Sequence, residues 1–217
     1  MKKKQCVVWG LGRFGSSVAK TLESLGNEVL GIDSDPDIVQ ELSSQLTHVV
    51  IAEKVDKETV KELGLGNFDI GIVAIGELEA NVLCTMLLKE INIPLVVSKA
   101  GTLLHGSILE KIGADRVIYP ERDMGQRVAH NIVSGSILDY IDLADDLTIV
   151  ELSVPKSFIG KNLIELNLRQ EYGVNVVAIR RNGKTIVGPN PTEGIDEDDI
   201  MIIMGLREDV LKLEEIL

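Results

Sequence analysis

An apolar run, Cys6-Val-Val-Trp, enters the turn Gly10-Leu-Gly12-Arg13-Phe14-Gly15, and a second apolar run, Glu28 to Asp33, ends on an acid. No other stretch of the chain restricts the fold as tightly. Between the two runs Phe14, Val18, Leu22 and Leu25 recur at helical spacing, and Gly26 stops the helix. Gly10 allows the tight turn out of a strand, Gly12 lets backbone amides approach a diphosphate, and Gly15 lets the helix pack closely on the sheet. The diphosphate would sit at the positive end of the new helix. Asp33 follows roughly twenty residues on, where an acid accepts the ribose hydroxyls. Ser34 and Asp35 come next, with no nearby arginine or lysine for a 2′-phosphate, which argues against NADP. The pattern reads only ribose and phosphates, so it leaves NAD, ATP and ADP open.

The same alternation continues. Asp35-Pro36 opens a helix carrying Val39, Leu42 and Leu46, and His48 to Ala52 reads as a strand. A short helix over Thr59 to Leu63 ends at Gly64. Asp69 to Ile75 is apolar throughout, as a strand covered on both faces is. Ala80, Leu83, Cys84, Leu87, Leu88 and Ile91 mark a helix, then Leu95 to Ser98 a strand. Leu104, Ile108, Leu109 and Ile112 mark another helix before the strand Arg116 to Tyr119. This predicts an α/β domain over residues 1–120, a doubly wound parallel Rossmann sheet in the order 3-2-1-4-5-6. Met124, Val128, Ile132, Ile137 and Ile141 then predict a connecting helix over 121–144, or two helices broken near Ser134-Gly135. Beyond Asp145-Asp146 a smaller α+β domain is expected over 145–217. Its parts are a strand from Thr148 to Val154, a helical or turn segment from Leu163 to Tyr172, and a hairpin joining Asn175–Arg181 to Lys184–Val187 through Asn182-Gly183. A strand from Asp199 to Gly205 and a helix carrying Val210, Leu213 and Leu217 complete it.

Composition narrows the function. The 217 residues carry a net charge of −12, which argues against nucleic acid or an anionic membrane surface as direct partner. No apolar run is long enough to span a membrane and no secretory signal is read, so a cytosolic protein is expected. Cys6 and Cys84 fit buried apolar positions. Arg13 stands out, because a cation in the first helical turn opposes the helix dipole unless an anion binds there. Lys99 and Glu121 fall at the carboxyl edge of the sheet, where such folds bind ligands. Candidate catalysts are lacking. His48, His105 and His130 are isolated, and Tyr119, Tyr140 and Tyr172 each lack a lysine four residues on. No nucleophile elbow or clustered metal ligands appear, and the acidic stretch Glu193 to Asp199, which could hold a cation, reads better as a solvated loop. A well-specified binding turn without a catalyst points to a sensor. The alternatives are an NAD-dependent oxidoreductase, an NADH-sensing regulator, or a transcriptional regulator, the last lacking its basic helix-turn-helix.

Four stretches carry a family resemblance: Val8-Trp-Gly-Leu-Gly-Arg-Phe-Gly15, Val73-Ala-Ile-Gly76, Lys111 to Gly125 (Lys-Ile-Gly-Ala-Asp-Arg-Val-Ile-Tyr-Pro-Glu-Arg-Asp-Met-Gly), and Gly173-Val-Asn-Val-Val-Ala-Ile179. Across essentially the whole chain the sequence resembles the cytosolic regulatory subunits of Trk/Ktr potassium transporters, nearer the single-repeat Ktr type. These join an RCK N-terminal (TrkA-N) domain to an RCK C-terminal (TrkA-C) domain. The resemblance implies a non-enzymatic gating subunit, assembled from dimers into an octameric ring and peripheral on the inner face of the membrane through a potassium-translocating subunit. It implies ATP and ADP competing at the glycine turn, NAD(H) binding in the wider family, and a divalent cation near Glu121. The nucleotide set it implies is Gly10, Gly12, Arg13, Phe14, Gly15, Asp33, Ser34, Ala52, Glu53, Ala74, Ile75, Gly76, Lys99 and Glu121. Arg13 would meet the terminal phosphate, often across the dimer. Glu53, where relatives carry small polar residues, is a departure that bears on nucleotide preference. In some members the C-terminal module binds cyclic di-AMP, and the matching positions are Leu166, Asn167, Arg169, Asn175, Val176 and Pro191.

Overall fold

The computed structural model describes residues 3–133, 137–143 and 146–215, and the chain divides into two compact units, Met1–Arg122 and Asp123–Leu217. In the first, β1 (Gln5–Trp9), β2 (Glu28–Asp33), β3 (His48–Ile51), β4 (Ile70–Val73), β5 (Leu95–Lys99) and β6 (Arg116–Ile118) form one parallel sheet in the order β3-β2-β1-β4-β5-β6. Helices α1 (Arg13–Ser24), α2 (Pro36–Leu42), α3 (Lys57–Glu62), α4 (Leu78–Glu90) and α5 (Leu103–Lys111) make the crossovers. This is the expected doubly wound sheet. Two apolar layers, one on each face, explain why its central strands read as unbroken hydrophobic runs. Val7, Trp9, Val73, Cys84 and Leu88 pack in one, and Cys6, Val8, Leu11, Ala19 and Ile72 in the other. The strand order reverses between β1 and β4, so the turn after β1 opens at the switch point, where such sheets bind ligands.

Boundaries differ by a residue or two from the sequence reading, with two larger departures. Leu46 lies outside α2, although it is buried at 6% exposure and packs on the same core. Helix α6 (Pro120–Val133) ends earlier than the apolar spacing suggests, and Ile137 and Ile141 belong to a strand, β7 (Ile137–Asp142). A four-residue interval places two side chains on one face of a helix and also on one face of a strand, so the spacing alone was ambiguous. A register shift between Ile137 and Asp139 then turns Ile137 and Tyr140 inward and leaves Ile141 at 44% exposure. The expected break at Ser134-Gly135, the residues 144–145 before the second domain, and Leu217 of the last helical stripe lie outside the described residues.

The second unit is an antiparallel sheet ordered β10-β9-β11-β8-β7, from β8 (Leu147–Ser153), β9 (Asn175–Arg181), β10 (Lys184–Val187) and β11 (Ile200–Leu206) with β7. Short helices α7 (Leu163–Leu166) and α8 (Leu168–Tyr172) precede β9, and α9 (Arg207–Glu214) follows β11. The hairpin turn is as the Asn-Gly pair predicts. Asn182 at φ 49° and Gly183 at φ 74° are both left-handed, as a type I′ turn requires. Ile137, Val150, Leu152, Ile179, Met201, Ile203, Val210 and Leu213 form this unit's own core.

Candidate functional site

The glycine turn is held shut from below and left open above. Gly10 has φ 92°, and a Cβ there would stand 2.7 Å from the Ala74 carbonyl carbon. A Cβ on Gly15 would fall 1.8 Å from the Gly10 carbonyl oxygen, so α1 reaches the sheet only with glycine at that place. Gly12 differs, since nothing lies within 4 Å of a Cβ placed on it. Leu11, between them, is buried at 2% exposure, and a Cβ on Gly31 would meet its Cδ1 at 3.0 Å.

Helix termini carry unpaired amides, and side chains usually cap them. Asp35, Asp56, Glu77 and Thr102 cap α2, α3, α4 and α5 in this way. Glu77 accepts from the Glu79 and Ala80 amides at 2.9 and 2.6 Å, and these bonds lower its pKa. Helix α1 has no side-chain cap at Gly12 and no acid in its first turn. Its positive end therefore faces the open side of the turn with Arg13, which is exposed, at its first position. Phe14 beside it is half-buried.

Asp33 ends β2 at the same edge. One carboxylate oxygen accepts from the Leu11 amide at 2.5 Å and the other from the Asp35 amide at 3.0 Å. Each oxygen keeps a further lone pair for a ribose hydroxyl. Ser34 and Glu53 are exposed, while Ala52 is half-buried and its amide donates to the Asp33 carbonyl at 2.9 Å. Across the turn, the Ala74 amide donates to the Trp9 carbonyl at 2.7 Å, and Ile75 and Gly76 continue beyond β4. At the end of β5, the Lys99 ammonium, at 19% exposure, lies 2.6 Å from Oε1 of Glu121 in the first turn of α6. Lys99 thereby holds the Glu121 carboxyl below its ordinary range. Tyr119 packs its ring edge on α5, where a Cβ on Gly106 would overlap its hydroxyl, and the Arg122 guanidinium lies 4.0 Å above the same ring.

The fold thus brings the turn residues, Asp33, Ala74 to Gly76, Lys99 and Glu121 to one edge of one sheet. A residue missed by the sequence reading joins them. Asn81 on α4, fully buried, donates to the backbone carbonyls of Ile75 and Lys99 at 2.9 and 3.1 Å. The signal for it was a polar residue on a helix face otherwise marked by Cys84 and Leu88. A cavity of about 380 Å³ between α3, Leu65 and the last turn of α4 is lined by none of the nucleotide candidates.

The chemistry on offer is anion and ribose binding. His48 is exposed at the start of β3, and His105 is buried at 5% exposure, where burial lowers its pKa. His130 falls within α6. Among the described residues no group of three histidine, cysteine or acidic side chains makes a metal site. Glu121, the residue expected near a divalent cation, offers one carboxylate, which is paired with Lys99. No described helix is long and apolar enough to cross a membrane. In the second unit Leu166 is buried at 6% exposure and Asn167, at φ 45°, separates α7 from α8. Arg169 and Pro191 are exposed, and Asn175 and Val176 half-buried. The Ile164 amide donates to the Pro191 carbonyl at 3.1 Å, bringing that loop onto α7.

A six-stranded parallel sheet with this turn at its switch point defines a Rossmann nucleotide-binding fold, here followed by a small α+β unit. Residues 6–120 match the TrkA-N domain and residues 147–217 the TrkA-C domain. Ktr system potassium uptake protein C of Bacillus subtilis (strain 168) is 44% identical over 98% of this chain and 97% of its own length. Ktr system potassium uptake protein A of the same organism is 42% identical over 99% and 97%. The chain belongs to this family of Ktr potassium uptake proteins, built on TrkA-N and TrkA-C (RCK) domains. Among solved structures, the GsuK RCK domain shares the fold at TM-score 0.71, with 19% identity over 99% of this chain and 47% of that one. The GsuK channel bound to NAD does so at 0.70, with 19% identity over 98% and 39%.

Proposed function

We propose that the chain is a non-enzymatic gating subunit that switches a membrane potassium-translocating partner according to the adenine nucleotide held at the glycine turn. The observation that carries this reading is the uncapped positive end of α1, with Arg13 at its first position and Asp33 fixed alongside by the Leu11 and Asp35 amides. Diphosphate oxygens would take the free amides over Gly12 and the ribose would take Asp33. Arg13 would meet a third phosphate, which makes ATP and ADP different signals at one site. Phe14, Ala52, Ala74, Ile75 and Gly76 would line the adenosine, with Ser34 and Glu53 at its rim. Lys99 with Glu121 would stand at the phosphate side. A ligand shifts such a switch only by its differential affinity for the two states.

Family membership supports the potassium-translocating partner. The exposed apolar residues Met124, Val128, Ile132 and Val133 on α6 support self-association, for which an octameric ring is the proposed form. The place of action is then the cytoplasmic face of the membrane. In the second unit Asn167, Arg169, Asn175, Leu166, Val176 and Pro191 are proposed to take cyclic di-AMP, apolar groups facing a purine and Asn and Arg facing phosphate or a base edge. NAD(H) is the second reading for the first unit, favoured by the NAD-bound GsuK channel, which shares this fold.

Calorimetric titration of the purified chain with ATP, ADP, NADH and cyclic di-AMP tests the proposal. Saturable ATP and ADP binding in mutual competition is expected. Saturable NADH binding with no response to ATP or ADP would overturn it.

A further inference from the structure

The parallel ladder between β4 and β5 runs from Ile70 opposite Leu95 to Val73 opposite Ser98 and then stops. Both chains continue toward the ligand edge, one into Ala74-Ile75-Gly76 and the other into Lys99. Past the ladder, one side chain joins them. Asn81 lies on the inner face of α4 at 0% exposure, and its Nδ2 donates to the Ile75 carbonyl at 2.9 Å and to the Lys99 carbonyl at 3.1 Å. One turn further along the helix, the buried Thr85 hydroxyl bonds the Ser98 hydroxyl at 2.8 Å, so α4 grips β5 through polar contacts at successive turns. The amide's orientation is dictated by its partners, because a flip would set Oδ1 against two carbonyl oxygens. Oδ1 itself is buried without a partner. Its donors do the holding.

We infer that Asn81 is a positioning residue of the nucleotide site, which fixes the backbone of Lys99 against the Ile75-Gly76 loop without touching the ligand. The Lys99 side chain is the lever in this arrangement. Its ammonium reaches Glu121 at 2.6 Å from a strand end whose carbonyl is pinned by Asn81. Without the amide, the last residue of β5 keeps its pairing toward β6 but loses its link, through Asn81, to the Ile75 carbonyl beyond β4. Lys99 would then adopt several positions, and an electrostatic contact to phosphate would be averaged over them. The inference rests on the reading that this edge holds a nucleotide.

A double-mutant cycle tests it on the full chain, with ATP titrated calorimetrically into the wild type, Asn81→Ala, Lys99→Ala and the double variant, and with ligand-free melting recorded for each. Asn81→Ala is expected to weaken ATP binding roughly five- to tenfold. In the Lys99→Ala background the same change should weaken binding by less than about twofold, because the group it positions is gone. A merely structural role would lower the melting temperature equally in both backgrounds and leave the two binding losses additive. Additive losses, or wild-type affinity in Asn81→Ala, would overturn the inference while leaving the nucleotide site standing. A wild type that binds no nucleotide would remove both. Should Asn81→Ala fail to fold, Asn81→Leu, which fills the same space without a donor, carries the same cycle.

Discussion

Asp33 and Asp139 are both carboxylates held in place, by different means and to different ends. Asp33 takes two backbone amides and keeps lone pairs free toward the open turn. Asp139 accepts from Nε of Arg127 at 2.7 Å, also from Nη2 of that guanidinium, and from the Tyr140 amide at 2.8 Å, tying α6 to β7. Arg127 holds the Asp139 carboxyl down to about 2. Because its pKa is lowered by folding, its stabilisation is fully present above about pH 4 and is lost as the pH falls through about 2. With a partly exposed partner, that stabilisation should amount to about 1 kcal/mol. Denaturant unfolding of Asp139→Asn against the wild type should show that deficit at pH 7 and a shrinking one toward pH 2.5; a constant deficit would contradict the pairing. At this scale the sequence was legible where spacing carries the information. Gly10, Gly15 and Asp33 were readable because a turn and a strand end fix their offsets. Leu11, Gly31 and Asn81 were not, since each acts on residues distant in the chain, and a lone polar residue in an apolar helix face does not announce its partners.

Among the elements, α1 differs from α2 to α5 in lacking a side-chain cap, and that difference can be reversed by one substitution. Gly12 has φ −59° and open space about it, so Gly12→Asp fits without strain and supplies the missing acceptor. The change should leave the ligand-free protein as stable or more stable by a few tenths of a kcal/mol. It would also place an anion where the phosphates are proposed to sit, so ATP should no longer raise the melting temperature. A preserved ATP-induced shift in Gly12→Asp would place the nucleotide elsewhere. The parallel sheet was legible as elements because its central strands are continuous apolar runs and the helices α2 to α5 open on capping side chains. The region after Glu121 was harder for a physical reason: Ile137 and Ile141 satisfy helix and strand periodicity alike, and the register shift that decides between them depends on pairing with β8. The hairpin was readable throughout, because Asn182-Gly183 encodes its own left-handed turn.

For the whole molecule, the described cores fall within separate units, one of Rossmann type and one a small antiparallel sheet, and the family joins them in potassium uptake proteins. A gating role requires that ligand state be passed between copies, and the exposed apolar residues of α6 are the surface proposed to do so. Light scattering on the purified protein should therefore give a mass near eight times the 23.7 kDa chain, and a monomer at micromolar concentration would contradict the ring. The link to potassium uptake was legible only through the family resemblance. Glycine spacing and an acid point toward a ribose and a diphosphate but say nothing of a transporter. In the proposed switch, Arg13 reads the third phosphate. The direct measurement of that role is ATP and ADP affinity, by calorimetry, in the wild type and in Arg13→Ala. In Arg13→Ala, ATP binding should fall about tenfold or more while ADP binding changes by less than about threefold. Equal losses for the two nucleotides would contradict that role of Arg13.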